Sequence, residues 1–217
     1  MSDIISLPSI GWRECSFDPV QPRSTARMEG RRTEAMAFGT PYWKANYKAT
    51  YLSEEDFGKM DAFMMQAGDS GDVFLGYDVF RPRPIAMDTG APLSGTKAAG
   101  GAFNGDAYLQ SITGTTQLNV GGLPAAFSFS PGDYVELRMS PLNRSLHRVI
   151  TAATSSAGGF VTLHVRFPID TQNFTSSATV HFEKPSCTMQ IDPESYSGSK
   201  SWSSREPSFS GTEVFAS

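Results

Sequence analysis

Three histidines are the residues of this chain whose type and spacing could support chemistry. His147, His164 and His181 recur at equal intervals on three predicted strands, and a small β-barrel could bring three imidazoles to one zinc ion. Strand alternation, however, puts His164 on the same face as Thr162 and Arg166, which we expect to be the solvent face. We therefore expect neither a metal site nor a cofactor.

The sequence contains no recognised catalytic motif. The G-x-x-x-x-G-K-[ST] phosphate loop, the G-x-S-x-G nucleophile turn and the G-x-G-x-x-G dinucleotide fingerprint are all absent. Acidic pairs such as Asp72 and Asp78 could be proposed as glycosidase carboxylates. Any β protein with 22 acidic residues offers such pairs, so they indicate little. We expect that the chain is not an enzyme.

The two cysteines, Cys15 and Cys187, are too few for a disulfide framework. We interpret them as buried free thiols and leave a single bridge as the alternative. The N-terminus lacks the basic start and long apolar stretch of a signal peptide. No apolar run approaches the ~20 residues of a membrane helix. We therefore expect a protein that folds in a reducing cytoplasm and does not insert into a membrane.

The composition indicates many turns and little attraction to nucleic acid. A length of 217 residues allows one large β domain or two small ones, and 20 Gly with 14 Pro favour turns over long helices. The net charge of −4 argues against a protein that grips phosphates. A basic run lies within residues 23–32, but Glu29 interrupts it, which favours a solvated or interface loop.

A half-buried strand is predicted over residues 43–51. Its odd-numbered positions are Trp, Ala, Tyr, Ala and Tyr, whereas the alternate positions include Lys44, Asn46 and Lys48. Alternation with a period of two is typical of an antiparallel strand with one face on a core and the other wet or docked.

A helix is predicted over residues 54–67, directly after this strand. Ser53 is a suitable N-cap, and acidic residues follow it in the first turn. Phe57, Met60 and Met64 recur at helical spacing. We expect this apolar face to pack on the strand at residues 43–51.

We predict a mainly β fold: an antiparallel β-sandwich or barrel domain with one packed α-helix, plus a second, small β-barrel domain. The first domain would be discontinuous, from residues 1–85 and 186–217, and the second would be inserted over residues 107–185. Residues 86–106 have no periodicity and would form a linker or a long surface loop. The other candidate strands are 73–80, 117–120, 134–139, 147–152, 160–167, 179–182, 187–191 and 208–215, the last at an edge.

A series of short motifs points to a known family. In chain order they are RMEGRR (27–32), WKANY (43–47), LSEE (52–55), GDVF (71–74), RPRP (81–84), PGDYVEL (131–137), LHRV (146–149) and CTMQIDP (187–193). Their order resembles that of the minor tail proteins of long-tailed phages and prophages. In that family a polar loop with a basic end precedes a tryptophan-containing strand and a helix.

The resemblance implies a distal tail protein, a structural component of the virion that forms a ring between the tail tube and the tip or baseplate. The ring would hold six copies around the tail axis. Its partners would be further copies of this chain, the tail tube and the tip or hub proteins. DNA would pass through the lumen without specific binding.

The candidate subunit-interface residues belong to the basic loop and to the polar face of the first strand. We expect the loop over residues 23–32 to reach a neighbouring subunit. The set is Arg27, Arg31, Arg32, Lys44, Asn46 and Lys48. An alternative function is a carbohydrate- or receptor-binding module at the tail tip, in which Trp202 would be an exposed sugar-stacking platform.

Overall fold

A computed structural model describes residues 4–30, 32–68, 72–201 and 204–215. Strands account for 42% of the chain and helices for 8%, and one sheet closes into a six-stranded antiparallel barrel. The predicted mainly β fold class is therefore confirmed. The α-helix, α1, spans Glu54–Ala67, as the sequence predicts, and a short 3-10 helix spans Ile85–Met87.

The strands of the first part of the chain are β1 (Ile4–Ser6), β2 (Trp12–Val20), β3 (Arg23–Arg27), β4 (Thr33–Ala37), β5 (Tyr42–Ala49), β6 (Val73–Gly76), β7 (Gly95–Thr96) and β8 (Ala102–Phe103). Those that follow are β9 (Asp106–Thr113), β10 (Gln117–Gly121), β11 (Ser128–Phe129), β12 (Tyr134–Arg138), β13 (Arg144–Val149), β14 (Ala153–Thr154), β15 (Val161–Arg166), β16 (Thr179–His181), β17 (Cys187–Ile191) and β18 (Ser208–Glu213).

A six-stranded sheet joins the two ends of the chain in the order β1-β6-β17-β18-β5-β2. Strand β1 runs parallel to β6, and the other neighbours are antiparallel. The prediction of an edge strand near the C-terminus is wrong, because β18 lies between β17 and β5. The edges are β1 and β2, and Pro19 is tolerated in β2 because one side of an edge strand needs no ladder hydrogen bonds.

Strand β5 has the alternation that its sequence predicts. Trp43, Ala45, Tyr47 and Ala49 are buried on one face of the sheet. Tyr51 departs from the prediction: it lies beyond the end of the strand and is exposed. The predicted strand over residues 73–80 is likewise shorter, since β6 ends at Gly76.

Helix α1 covers the buried face of the sheet. The Ser53 hydroxyl caps its start by accepting a hydrogen bond from the Asp56 amide at 3.1 Å. The Phe63 ring lies 5.6 Å from Phe74 of β6 and 5.5 Å from Phe209 of β18, between ring centroids. These rings join the helix to β6 and β18, and the same buried core contains Trp43 and Tyr47 of β5.

The barrel closes in the order β10-β15-β13-β12-β16-β9, with every neighbouring pair antiparallel. Its interior is filled by aliphatic side chains at alternate positions, such as Leu118, Val135 and Leu163. The barrel is therefore a packed core and not a pore.

Residues 86–106 are more ordered than the predicted linker or surface loop. They contain the short antiparallel pair of β7 and β8, and the side chains of Leu93 and Phe103 are buried in the barrel core. The sequence of these residues shows no alternation because the two strands are only two residues long.

Candidate interaction surfaces

The open face of the sheet, opposite α1, carries the predicted interface residues of β5. Lys44 and Asn46 are exposed and Lys48 is partly exposed. The Asn46 amide donates to the Ser16 hydroxyl at 2.9 Å, and Lys48 Nζ lies 3.9 Å from Glu14 Oε1. These cross-strand contacts hold the side chains of Asn46 and Lys48 on the polar face of the sheet.

Asp192 pairs with Lys44 on this polar face. Its carboxylate accepts hydrogen bonds from the hydroxyls of Ser210 and Thr212, both at 2.6 Å, and lies 3.4 Å from Lys44 Nζ. Burial alone would raise the pKa of Asp192, but the two hydroxyls and the lysine together lower it. The face is therefore charged at neutral pH.

Residues 23–27, the first half of the predicted loop, form a strand instead. They belong to a two-stranded hairpin made by β3 and β4, and every residue of both strands is exposed. Arg27 ends β3 and Arg32 precedes β4, while Arg31 lies outside the described residues. The sequence signal for these strands is weak, because a hairpin without a buried face has no need of hydrophobic alternation along its whole length.

The hairpin has two chemically different faces. Cross-strand pairing puts Ser24 opposite Met36 and Ala26 opposite Glu34, and the Met28 amide donates to the Arg32 carbonyl at 2.9 Å. We name the side that these pairs define the apolar hairpin face: Ser24, Ala26, Met28, Arg32, Glu34, Met36 and Phe38. The opposite side carries Arg23, Thr25, Arg27, Thr33, Ala35 and Ala37.

Arg27 and Arg32 therefore lie on opposite sides of the hairpin and do not form one basic surface. The apolar hairpin face is the more unusual of the two sides. Met36 is 70% exposed and Phe38 is 69% exposed, in a chain whose other aromatic side chains are mostly buried. A projecting arm with exposed apolar side chains is typical of a contact surface.

A cluster around Tyr134 joins the sheet to the barrel. The Tyr134 hydroxyl lies 3.2 Å from Asp78 Oδ2, and Arg81 and Arg148 both donate to it. Both guanidinium groups also stack on the Tyr134 ring, at 5.0 Å and 4.8 Å from its centroid. Burial raises the pKa of Tyr134 to about 12, so its hydroxyl stays protonated and can donate.

Trp43 makes a second link between the sheet and the barrel. Its indole nitrogen donates to the Leu146 carbonyl of β13 at 2.8 Å, and Arg148 stacks 5.1 Å from its ring. The interpretation of Trp43 as a core residue is therefore confirmed. Contacts of this kind fix the orientation of the barrel relative to the sheet.

A cavity of about 320 Å³ opens beside this link. We name it the junction cavity. The sheet, the β12–β13 connection and the chain after β15 all line it, and its aromatic lining residues are Tyr42, Trp43, Phe167, Phe174 and Phe215.

Two buried titratable groups lie at the wall of the junction cavity. Glu213 accepts a hydrogen bond from the Trp43 amide at 2.9 Å, yet burial raises its pKa to about 7. His147 lies near the Ser145 hydroxyl at 2.9 Å, and burial lowers its pKa to about 4. The histidine is therefore neutral at physiological pH, whereas the glutamate is partly protonated.

These shifts predict a pH dependence of stability. Folding raises the pKa of Glu213, so the folded state binds more protons and the free energy of unfolding falls as the pH rises through about 7. His147 acts in the opposite sense, but only between about pH 4 and its ordinary pKa of 6.5. From pH 6.5 to 8 we expect Glu213 to contribute a fall of about 0.8 kcal/mol, of which the end of the histidine titration offsets about half.

The test is urea denaturation of Glu213→Gln across this range. The amide can still accept the Trp43 hydrogen bond and has no proton to lose, so the fall should disappear. Glu14→Gln is the control, because Glu14 is exposed. An unchanged fall in the Glu213 variant would show that another group is responsible.

The three histidines lie on β13, β15 and β16, as the sequence predicts. His147 is buried, His181 contacts the Asp106 carboxylate, and His164 is on the outer face of β15. Within the described ranges, no group of three His, Cys, Asp or Glu side chains is arranged to hold a metal ion. Cys15 and Cys187 are both free, Cys187 being fully buried, which rules out the alternative of a single bridge in this structure.

Trp202, the proposed sugar platform, lies outside the described residues. The neighbouring Lys200 is described: its Nζ lies 2.6 Å from Asp61 Oδ2 and stacks over the Phe57 ring of α1. The glycan alternative therefore stays a prediction from the sequence.

Sequence reasoning missed both the Tyr134 cluster and the apolar hairpin face. A signal for the hairpin was present, because Ala26 and Met28 and then Met36 and Phe38 recur with a period of two. The Tyr134 cluster left no such signal, since its members come from distant parts of the chain.

No protein-family model and no curated protein matches this sequence. In the described part of the chain, none of the helices has the length and apolar character needed to span a bilayer.

Proposed function

We propose that this chain is a structural protein of a long-tailed phage virion: a distal tail adaptor that forms a ring of six copies between the tail tube and the tip complex. The observation that carries the proposal is the projecting hairpin of β3 and β4, whose strands are exposed throughout. Its motif also begins the series that resembles the phage family.

The physical argument concerns unpaired backbone groups. Strand β2 is a long sheet edge, and the hairpin has two further edges. Exposed edges invite pairing with other chains, so natural proteins cover them or commit them to a defined partner. A closed ring of identical subunits is one way to give an exposed edge such a partner.

The polar face around Lys44, Asn46 and Lys48 suits a second, wetter contact. Its charges are balanced by Glu14 and Asp192 within the subunit, which leaves little net attraction for the phosphates of passing DNA. In the proposal this face meets either the neighbouring subunit or the lumen, and the tube and tip proteins are the other partners.

Charge reversal on the hairpin tests the proposed assembly. Arg27→Glu combined with Arg32→Glu should weaken ring formation, because it reverses the charge of both hairpin faces at an interface. Both sites are exposed, so the free energy of unfolding should change by less than about 0.5 kcal/mol. Negative-stain imaging and urea denaturation measure the two effects. Arg166→Glu, on the exposed outer face of the barrel, is the matched control; rings that persist in the double variant would contradict the hairpin's role.

A further inference from the structure

Two unpartnered features of this subunit are complementary to each other: the apolar hairpin face and the junction cavity. We propose that the apolar hairpin face of one copy packs into the junction cavity of the next copy. This contact rests on the proposed ring and names the surfaces that would hold it together.

The hairpin supplies side chains that gain from burial. Met28 is 51% exposed and Met36 is 70% exposed, and flexible thioether side chains adapt well to an irregular cavity. Apolar surface of this kind is stabilised by removal from water, and an isolated arm offers no place to bury it. A second surface that covered it would therefore gain free energy.

The junction cavity supplies aromatic walls. Tyr42, Phe167 and Phe215 line it, and Phe215 is 58% exposed. Phe167 has a φ of 68°, in the left-handed region that bulky residues rarely adopt. Such strain is concentrated at functional sites, and here it belongs to a wall of the cavity. A volume of about 320 Å³ suits a few side chains and not a folded domain.

One charge on each surface could pair across the contact, Arg32 on the apolar hairpin face and Asp170 at the cavity rim. Asp170 is exposed at the cavity rim and has no salt-bridge partner among the described residues. The cavity's own cation, Arg144, is already paired with Glu136 at 2.8 Å. Arg32 lies on the apolar hairpin face and is held only by a solvent-exposed pair with Glu34 at 3.5 Å, which contributes little. Arg32 can therefore turn to Asp170 of the next copy.

The subunit's own hairpin does not occupy the cavity, because Met36 and Phe38 stay 70% and 69% exposed in this structure. Thr40 lines the cavity and is separated from Phe38, at the base of the hairpin, by Gly39 alone. The six residue steps from Pro22 to Met28 carry the tip about 20 Å from that base, at ~3.3 Å per residue. Two different surfaces of one chain then meet head to tail, and such contacts close into a ring by rotation.

Cysteine cross-linking tests the contact in the full chain. A variant with Met36→Cys and Asn173→Cys places one thiol on the apolar hairpin face and one at the cavity rim. After mild oxidation we expect covalent dimers and higher multimers, which a reducing agent should convert back to single chains. Each single variant controls for the native thiols, and Met65→Cys with Asn173→Cys controls for exposure, because Met65 is an exposed methionine on α1.

The outcomes separate this contact from the ring itself. Both the purified protein and virions carrying the variant are oxidised, and both are imaged. Rings or tails that contain the protein but give no multimers beyond the controls would overturn the docking contact and leave the proposed function standing. A protein that forms no rings and is absent from tails would overturn both.

A second variant measures the same contact without cross-linking. Met36→Asp should raise the concentration needed for half-assembly about tenfold or more, because it puts a charge into an apolar contact. Met65→Asp should leave that concentration within about twofold of the wild-type value. Equal effects of the two variants would contradict the proposed contact.

Discussion

Replacing Glu136 by Gln is expected to lower the free energy of unfolding by about 3–5 kcal/mol. Glu136 is fully buried on β12. Its carboxylate accepts from Arg138 Nε and Arg144 Nη1, both at 2.8 Å, and from the Ser186 amide at 2.9 Å. The neutral amide would leave a buried guanidinium without a counter-charge, which costs more than the pair itself contributes.

Urea denaturation of the purified variant measures this loss. Glu55→Gln is the matched control: Glu55 also pairs with a cation, Lys59 at 3.2 Å, but its side chain is 83% exposed. An exposed pair contributes at most about 1 kcal/mol. The Ser186 amide belongs to the residue that precedes β17, so Glu136 also joins the barrel to the sheet. Equal effects of the two variants would show that this buried network does not contribute to the free energy of unfolding.

Replacing Phe57 by Ala should lower the free energy of unfolding by a similar amount, about 3–5 kcal/mol. Phe57 is buried in the aromatic core between α1 and the sheet, and the Lys200 ammonium lies 4.5 Å from the centre of its ring. Truncation would leave a cavity that the rigid sheet cannot close. Thermal denaturation of Phe57→Ala and of the control Met65→Ala measures the effect, since Met65 is on the same helix but exposed. An unchanged melting temperature for Phe57→Ala would mean that the helix is not part of the core.

Burial on one side decided which elements could be predicted. The residues of β5 and α1 follow clean periods of two and of 3.6, because one face of each is buried and the other is wet. Strand β2 was missed because charged and apolar residues are mixed along it, and Pro19 reads as a strand breaker. The hairpin was missed for a related reason, since neither of its faces is buried within the subunit.

The candidate site could be predicted only in part. Lys44, Asn46 and Lys48 lie on the polar face where alternation put them. The sequence did not reveal that Arg27 and Arg32 lie on opposite sides of the hairpin, because the pairing register depends on the geometry of the turn. Their role at a subunit interface stays a prediction. The junction cavity could not be predicted at all, since its wall combines the ends of β5 and β18 with the turns of the barrel.

Imaging the virion at subnanometre detail tests the central claim most directly. We predict six copies of this chain in a ring at the distal end of the tail, between the tube and the tip complex. The hairpin of each copy should contact a neighbour. Density for the chain outside the tail, or hairpins that face bulk solvent without a partner, would contradict the account.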